Sequence, residues 1–484
     1  MSMEKSYTFY SKNNCLMKDG QLLVTTDCDL SVLTEMLRVE SNSLDLKVLS
    51  KESFNELLEE QFAGSKDDSS DLKQLLALEG NLKAAADEAE ARLELLDRGD
   101  DTPVVKLFNA MLIEAIRRSA SDIHIEPFDG ASHIRMRIDG ALVPVLTPAF
   151  EVASRLVARV KVLAKLDIAE KRLPQDGRMT VSLANRDIDL RISTMPSVHG
   201  ERVVMRILEK QSKNLDVQHL GMQPNQLERL QRLLAKPNGI VLVTGPTGSG
   251  KTTTLYAALR EIVTSDRNIM TIEDPVEYEL PGVSQAQTSE KAGFTFARGL
   301  KAILRQDPDV ILVGEIRDNE TATIATQASL TGHLVLSTLH TNTIAGAISR
   351  MSDLGVEPFL LSSSLRGVIS QRLVRKLCAH CKTEVTPSES QLSIFTQYGM
   401  EAPATLSSAC GCDVCGHTGF AGRQGIYDLA EVTAELRELV HHEAGELAYE
   451  KVLSHNGGGL TASGLALAAS GITTVDEVLK VSID

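Results

Sequence analysis

Residues 240–252 read Ile-Val-Leu-Val-Thr-Gly-Pro-Thr-Gly-Ser-Gly-Lys-Thr, an apolar run that leads directly into the pattern G-x-x-x-x-G-K-T. The run Ile240–Val243 is short and mostly β-branched, which predicts a fully buried parallel strand. The glycines that follow free the backbone to wrap its N–H groups around phosphate oxygens. The segment Thr252–Arg260 then predicts a helix whose N-terminal dipole faces the anion. A strand, a glycine-rich loop and a helix in this order form the phosphate-binding loop of a P-loop NTPase.

The residues of this loop have separate chemical roles. Lys251 supplies a positive charge for the β- and γ-phosphates of ATP, and the Thr252 hydroxyl is placed to ligate Mg²⁺. A glycine-rich turn without a ligand is the alternative, but the full motif between a strand and a helix disfavours it. The residues predicted to contact the nucleotide are Gly245, Pro246, Thr247, Gly248, Ser249, Gly250, Lys251, Thr252 and Thr253.

The composition is that of a soluble globular protein, with 43% hydrophobic and 24% charged residues. A chain of 484 residues is too long for one hydrophobic core and predicts roughly three domains of ~150 residues each. No apolar stretch approaches the ~18 residues that a membrane-spanning helix needs. The polar N-terminus also lacks the apolar core of a signal peptide. We therefore predict a cytoplasmic location.

The charge distribution disfavours a nucleic-acid motor. The formal net charge is −15 at pH 7, whereas a nucleic-acid-binding face should be basic. Aromatic residues make up only 4% of the chain and tryptophan is absent, which weakens base stacking. The negative charge is concentrated in residues 51–101, where acidic residues outnumber basic ones by more than two to one. Such a run is usually a solvated helix or linker.

Changes in composition divide the chain into four predicted segments. We predict a small α/β domain over residues 1–62, an acidic linker and helix over 63–101, a second domain over 102–215 and the ATPase domain over 216–484. In the second domain, runs that alternate apolar and polar residues are typical of half-buried strands. Helical segments accompany them, so we expect a sheet with helices packed on one face. Asp139-Gly140 is a hairpin-turn signal between two of these runs.

Two further apolar runs of the ATPase domain end in carboxylates. One run ends at Glu273 and Asp274, and the other, Val310–Val313, is followed by Gly314 and Glu315. Ligands of doubly wound sheets lie beyond the carboxyl ends of the strands, so we expect these carboxylates to face the nucleotide. The second run resembles a Walker B strand, but Gly314 stands where an aspartate is usual. Glu315 must then hold Mg²⁺, directly or through a water molecule.

Two histidines flank another apolar run, Leu334–Thr338. A single histidine is more often a structural residue, but His333 and His340 bracket a strand beside the predicted nucleotide site. ATP hydrolysis needs an oriented water molecule, a general base, a metal ion and cationic groups that stabilise developing charge. We therefore predict that both histidines lie near the γ-phosphate.

Five of the seven cysteines cluster towards the C-terminal end of the chain. Cys378, Cys381, Cys412 and Cys415 form two C-x-x-C pairs with 30 residues between them, a spacing typical of a structural, tetrahedral Zn²⁺ site. Redox use of a C-x-x-C motif would need only one pair, and cytoplasmic chains rarely form disulfides. Cys410 falls outside the paired spacing but could replace one ligand. We predict that Zn²⁺ contributes folding energy here and takes no part in catalysis.

Several motifs occur in an order that connects the chain with a known family. They are Glu273–Glu277, Leu304–Val310, Gly314–Asp318 and Thr331–His340, and upstream of these Ala120–Pro127, Arg172–Arg178 and Ser193–Pro196. With these motifs the chain resembles the secretion-superfamily ATPases of type II secretion and type IV pilus assembly. The resemblance covers residues from about 100 to 484 and is specific, because unrelated motifs share the family's order and spacing. Residues 1 to about 100 carry no motif that we can place.

The resemblance implies a fold and an assembly. It implies an α/β fold in which a RecA-like P-loop ATPase domain follows a PAS-like α+β domain and a small N-terminal domain. Similar proteins work as homo-hexameric rings. We expect a zinc-binding excursion over residues 375–425, built with Cys412 and Cys415 in place of Cys410, and a C-terminal helical segment after it. This excursion is similar to that of the assembly-type ATPases, and the resemblance implies that the retraction type lacks it.

The resemblance also implies residue roles. Glu273 matches the acidic-box glutamate, which is regarded as the hydrolytic base, and Glu315 matches the Walker B glutamate, which acts on Mg²⁺ or its water. These two roles could be exchanged. His340 matches the histidine that senses the γ-phosphate, and His333 supports the same loop.

Arginines of the preceding domain complete the implied site. In similar proteins they reach the nucleotide of the same or a neighbouring chain, and Arg191 and Arg206 fall at the matching positions. Without the resemblance, the residues alone favour strand arginines that face solvent.

The sequence therefore predicts an ATPase that drives pseudopilus assembly and protein export in a type II secretion system. A type IV pilus extension ATPase is the alternative, and a nucleic-acid-translocating ATPase is more remote. The paired histidines and carboxylates argue against a kinase and against a scaffold without hydrolysis. We expect no nucleic-acid partner. We also expect peripheral association with the inner membrane, through platform proteins that bind the N-terminal domain.

Overall fold

The structure of the protein, a computed structural model, describes residues 15–18, 21–25, 45–51, 54, 102–183, 186–208, 216–454 and 459–482. Near the N-terminus, β1 (Cys15–Lys18) pairs antiparallel with β2 (Gln21–Thr25), which pairs in parallel with β3 (Asp45–Leu49). The described strands of this part therefore form one small three-stranded sheet. The predicted acidic linker and helix over 63–101 lie outside the described residues.

A six-stranded antiparallel sheet with two helices comes next. Its elements are α1 (Thr102–Arg117), β4 (Ala120–Pro127), β5 (Ser132–Ile138), β6 (Ala141–Leu146), α2 (Phe150–Leu163), β7 (Gln175–Leu183), β8 (Arg186–Ser197) and β9 (Gly200–Leu208). The strands lie in the order β6-β5-β4-β9-β8-β7. Asp139 and Gly140 join β5 to β6 with φ angles of 48° and 85°, which confirms the predicted hairpin turn.

Both helices pack on one face of this sheet, as the alternation of side chains along its strands shows. Ile123 and Ile125 of β4 and Met205 of β9 share a core with apolar side chains of α1 and α2. The alternate residues of the same strands, such as Asp122 and Arg206, lie on the opposite face. The predicted sheet with helices on one face is thus confirmed, whereas its assignment to the PAS class stays a prediction.

Strand β7 escapes prediction from sequence because a glycine interrupts its apolar–polar pattern. A Cβ atom added at Gly177 would come within 2.9 Å of the Ala164 carbonyl oxygen and of the Leu166 side chain. The segment after α2 therefore packs directly on the β7 backbone, and the glycine permits that close approach.

The ATPase domain is a seven-stranded sheet with helices on both faces. Its elements are α3 (Pro224–Leu234), β10 (Gly239–Thr244), α4 (Lys251–Ile262), β11 (Ile269–Glu273), β12 (Ser284–Gln287), α5 (Phe296–Ile303), β13 (Val310–Val313), α6 (Asn319–Leu330), β14 (Leu334–Leu339), α7 (Ile344–Asp353), α8 (Pro358–Ser364), β15 (Leu365–Leu377), β16 (Thr383–Val385), α9 (Glu389–Gln397), β17 (Leu406–Ser408) and β18 (Phe420–Glu431). The sheet order is β12-β11-β13-β14-β10-β15-β18, parallel except for the antiparallel pair β15 and β18.

Strand β10 is apolar throughout because both of its faces are covered. Ile240 and Leu242 belong to one core with α5, α6 and α7. Val241 and Val243 belong to the other core with α3 and α4. The continuous apolar run that predicted a buried parallel strand is thereby explained, and the predicted α/β fold of this domain is confirmed.

A small layer lies between β15 and β18 and is followed by the last helices. β16 and β17 pair there with α9 close by, and α10 (Ala434–His441), α11 (Glu446–Ser454), α12 (Gly459–Ala469) and α13 (Val475–Ser482) complete the described chain. Phe395 of α9, Leu465 of α12 and Val478 of α13 share a core with Val374 of β15. Among the described residues, none of the helices is long and apolar enough to cross a membrane.

Candidate functional site

The phosphate-binding loop joins β10 to α4 as the sequence predicts. Gly245 has a φ angle of 148°, and a Cβ atom there would lie 2.5 Å from the Gln371 carbonyl oxygen. Only glycine fits this position, because β15 crosses directly behind the loop. Pro246, Thr247 and Gly248 are exposed, as are Thr252 and Thr253 in the first turn of α4, whereas Ser249 is buried and Gly250 half-buried. The loop thus presents its tip and the start of α4 to a ligand.

Lys251 is buried at the start of α4, with 8% of its surface exposed. Its Nζ donates hydrogen bonds to the carbonyl oxygens of Gly245, at 2.7 Å, and Pro246, at 3.1 Å. Burial lowers the pKa of Lys251 to about 8, although the negative charge of Glu315 acts in the opposite direction. A phosphate group beside this ammonium would stabilise its charged form.

Glu315 and His340 meet beside the loop. β13 and β14 are parallel neighbours, so the residues after their carboxyl ends are brought to the same edge. His340 Nε2 lies 3.2 Å from Glu315 Oε2, and Arg317 forms an ion pair with the other carboxylate oxygen. Glu315 is mostly buried, whereas nearly half of the His340 side chain is exposed. Since Glu315 also acts on the pKa of Lys251, the three predicted residues form one cluster.

Glu273 is held in a separate, buried hydrogen-bond network at the end of β11, with 3% of its surface exposed. The Tyr256 hydroxyl of α4 donates to Oε2, and Oε1 accepts from Thr271 Oγ1 at 2.5 Å and from Gln285 Nε2 at 3.2 Å. All three donors are neutral groups. Tyr256 and Gln285 are not predicted from sequence, because they come from two elements that only the fold brings to β11.

His333 does not lie at the nucleotide end of the sheet, and this prediction is wrong for the fold of one chain. Leu334 pairs with Gly239 at the start of β10, whereas Leu339 pairs with Thr244 next to the loop. His333 therefore precedes the strand at the opposite edge, roughly 16 Å away at ~3.3 Å per residue. Its Nδ1 lies 2.9 Å from the Ala328 carbonyl oxygen near the end of α6, where it satisfies a helix C-terminal group.

Arg191 and Arg206 lie side by side on the face of the six-stranded sheet opposite α1 and α2. They are register partners on β8 and β9. Arg206 Nε donates to Asp122 Oδ1 at 2.9 Å, and 60% of its side chain is exposed. Glu126, two positions further along this face, pairs with Arg135 and Arg202 at 2.6 Å each. The face thus combines ordered carboxylates with arginines that reach solvent.

The four predicted cysteines come together. Their Sγ atoms all lie within 4.8 Å of one another, and three of the distances are 3.8 to 3.9 Å. Four thiolates around Zn²⁺ at Zn–S distances of ~2.3 Å lie roughly 3.8 Å apart, so the cluster fits a tetrahedral ion. Cys410 is exposed and lies beside Thr383 instead.

The surroundings of the cluster act in opposite directions on two of its thiols. Although desolvation acts against it, backbone N–H groups of Cys412 and Gly419 lower the pKa of Cys415 to about 6, whereas burial raises the pKa of Cys381 to about 12. Gly411 N donates to Cys381 Sγ at 3.3 Å. A thiolate is the form that binds metal, so these N–H groups prepare the site for a cation.

Comparisons with known proteins agree with this geometry. A family model described as Type II/IV secretion system protein matches residues 97–480. The chain is 50% identical over 457 residues to the type II secretion system ATPase E of Vibrio cholerae serotype O1, which covers 94% of this chain and 90% of that protein. It is 47% identical over 470 residues to the type II secretion system protein E of Pseudomonas aeruginosa, with 97% and 93% covered.

Two solved structures are similar to the chain. The pilus retraction motor PilT with bound ADP has a TM-score of 0.52 and 27% identity, over 78% of this chain and 97% of that chain. The Legionella pneumophila ATPase DotB has a TM-score of 0.57 and 22% identity, over 76% and 93%. The likeness to DotB concerns the fold alone.

Proposed function

Because the chain belongs to the Type II/IV secretion system protein family and is an ATPase of its type II secretion branch, we propose that its ATP hydrolysis drives pseudopilus assembly and protein export. The proposal rests on one observation. At the carboxyl ends of β10, β13 and β14, the structure brings together Lys251, Glu315 and His340. This edge of a parallel sheet is where nucleotides bind. PilT, which has a similar fold, binds ADP.

The charges around the two glutamates support separate roles for them. Arg317 forms an ion pair with Glu315, whose negative charge also acts on Lys251 of the phosphate-binding loop, so this carboxylate lies with the groups that would meet the phosphates and their metal ion. Glu273 lies in a separate network of neutral donors, which fixes the direction of its carboxylate. We therefore assign Glu273 to activation of the attacking water, and Glu315 with the Thr252 hydroxyl to Mg²⁺. When bound, Mg²⁺ offsets the negative charge of the phosphates.

His340 and the loop groups complete the proposed site. His340 lies within hydrogen-bond distance of Glu315, and nearly half of its side chain is exposed to solvent. Both features suit a side chain that senses the γ-phosphate. The exposed loop residues and the buried Ser249 lie around the start of α4, where backbone N–H groups face an anion. Lys251 stabilises negative charge that develops on the phosphates during hydrolysis.

A homo-hexameric ring is the proposed working form. Arg191 and Arg206 lie on an exposed sheet face that a neighbouring chain can approach. In the ring, these arginines would reach the nucleotide of the same or the adjacent copy and offset charge on the γ-phosphate.

Zinc is proposed as a structural ion only. Cys378, Cys381, Cys412 and Cys415 would supply all four ligands, which leaves no open position for a substrate. The ion would link the start of the excursion after β15 to its end before β18, and so stabilise the layer of β16, β17 and α9.

Contact with the membrane is proposed to be indirect. We place the protein in the cytoplasm, docked peripherally at the inner membrane through platform proteins that bind residues 1–62. The identities of 47% and 50% to type II secretion proteins favour this system as the place where the protein acts.

A strain whose own copy carries Lys251→Ala tests the proposal. We expect loss of secreted proteins from the medium with normal surface pili, whereas a wild-type copy restores export. Loss of pili with normal export would assign the motor to pilus extension. Normal export and normal pili would reject both motor functions.

A further inference from the structure

A buried tyrosine links the phosphate-binding helix to the proposed base. Tyr256 lies on α4, the helix that begins with Lys251, and is 0% exposed. Its hydroxyl donates to Glu273 Oε2 at the end of β11. A hydrogen bond inside the domain thus joins the nucleotide-binding helix to the acidic strand, and the same hydroxyl accepts from Glu277 N and Gln285 Nε2 at 3.4 Å each.

The second oxygen of the Glu273 carboxylate also accepts a hydrogen bond, from Gln285. Gln285 Nε2 donates to Glu273 Oε1 at 3.2 Å and to the Tyr278 carbonyl oxygen at 3.2 Å. Gln285 Oε1 in turn accepts from Leu280 N at 2.6 Å. Both carboxylate oxygens therefore have assigned donors, and the plane of the carboxylate is set.

We propose that Tyr256 is a positioning residue for the hydrolysis step, whose hydroxyl orients the carboxylate of Glu273. The proposal rests on the role of Glu273 as the base that activates water. A buried carboxylate is unfavourable unless hydrogen bonds compensate it, and Tyr256 is the donor that comes from the nucleotide-binding helix. Tyr256 itself touches neither water nor substrate in this role.

Two further observations indicate that the hydroxyl, and not only the ring, has a function. Burial, and then the hydrogen bond to Glu273, raise the pKa of Tyr256, so the hydroxyl keeps its proton and remains a donor at neutral pH. The ring also packs edge-to-face on Tyr278 with centroids 4.6 Å apart. A phenylalanine would make the same ring contact, so packing alone does not require the hydroxyl.

The test compares full-length Tyr256→Phe with the wild type in steady-state ATP hydrolysis. We expect kcat to fall on the order of tenfold to a hundredfold, with KM and ATP affinity within twofold of wild type. The pH–rate profile, recorded for both proteins, shows whether the loss of kcat holds across the pH range. A residue needed only for packing would change stability or KM without this selective loss of kcat.

Tyr427→Phe is the matched control. Tyr427 is also a buried tyrosine of this domain, with 2% of its surface exposed, but its hydroxyl donates to the Leu220 carbonyl oxygen at 3.1 Å. We expect it to lose some thermal stability and to keep the wild-type kcat and pH–rate profile. Gln285→Leu removes another donor to Glu273 and should reproduce the loss of kcat, so the test stays decisive if Tyr256→Phe does not fold.

Glu273→Gln distinguishes a failure of the positioning role of Tyr256 from a failure of the base role of Glu273. If Glu273→Gln is inactive while folded Tyr256→Phe keeps the wild-type kcat and pH–rate profile, the positioning role is overturned and the base role stands. If Glu273→Gln keeps wild-type turnover, the base role is overturned, and the role of Tyr256 with it.

Discussion

At the scale of single residues, Lys251 shows how the fold tunes one charge. Burial lowers its pKa to about 8, and the carboxylate of Glu315 opposes that shift. The ammonium therefore loses its proton at a pH only slightly above neutral. Its Nζ donates hydrogen bonds to two carbonyl oxygens of its own loop. An added phosphate charge would favour the protonated form.

We predict that ATP binding takes up a proton at alkaline pH. At pH 8.5 part of the free protein carries neutral Lys251, and the phosphates of bound ATP restore the charged form, so protons move from buffer to protein. Calorimetric titration in two buffers of different ionisation enthalpy measures this uptake. It should vanish at pH 6.5, where the lysine is already charged. Equal apparent enthalpies in both buffers at pH 8.5 would contradict the prediction.

At the scale of elements, the phosphate-binding loop depends on a contact with a strand far along the chain. A Cβ atom added at Gly245 would lie 2.5 Å from the Gln371 carbonyl oxygen of β15. Gln371 Nε2 also donates to the Ser249 carbonyl oxygen at 2.5 Å. The loop is thus shaped by β15 as well as by its own glycines.

We predict that Gly245→Ala abolishes ATP binding. The methyl group collides with the backbone carbonyl oxygen of Gln371 as well as with Ser249 Oγ, and the backbone cannot rotate away, so the loop must shift away from β15. Fluorescent-nucleotide titration measures the affinity. Gly399→Ala is the control, because Gly399 also has a positive φ angle of 66° but nothing within 4 Å of its Cβ position. That variant should lose only about 1–2 kcal/mol of stability and keep its nucleotide affinity.

We predict that Cys378→Ser removes zinc and unfolds the excursion but leaves the phosphate-binding loop formed. Cys378 is 1% exposed and begins the four-cysteine cluster. Elemental analysis gives the zinc content, and proteolysis of residues 375–425 reports unfolding. Cys410→Ser should keep one zinc per chain, since Cys410 lies outside the cluster. Wild-type protein without zinc would refute the site.

At the scale of the whole molecule, two sheets carry two parts of the proposed machinery. The ATPase sheet gathers Lys251, Glu315 and His340 at one edge. The preceding sheet displays Arg191 and Arg206 on a face opposite its helices. Arg206 Nε donates to Asp122 Oδ1 at 2.9 Å, and 60% of the Arg206 side chain is exposed to solvent.

We predict that Arg206 acts between copies of the chain. Arg206→Ala and Lys251→Ala should each lack ATPase activity, and an equimolar mixture should recover part of it. In the mixture, some sites combine an intact loop from one variant with an intact arginine from the other. Turnover of the mixture against each variant alone is the measurement. Arg172→Ala, at a highly exposed arginine paired with Glu170, is the control and should stay active. A mixture as inactive as its components would assign Arg206 to its own chain's nucleotide.

Elements whose signals are local can be predicted from the amino-acid sequence. The loop, its flanking strand and helix, the hairpin at Asp139-Gly140 and the paired cysteines each depend on residues close together in the chain, so spacing alone predicts them. The same local signals bring Glu315 to the site, because a buried apolar run that ends in a carboxylate fixes where that carboxylate emerges.

Which residues share an edge of the sheet or a pocket depends on how the chain packs in three dimensions. His333 and His340 look equivalent in sequence, yet they lie at opposite ends of β14, because a strand carries its two ends to opposite edges of the sheet. Tyr256 reaches Glu273 only because α4 packs across β11. Neither fact has a local signal, since each depends on strand order and packing between distant segments, and these are properties of the assembled fold.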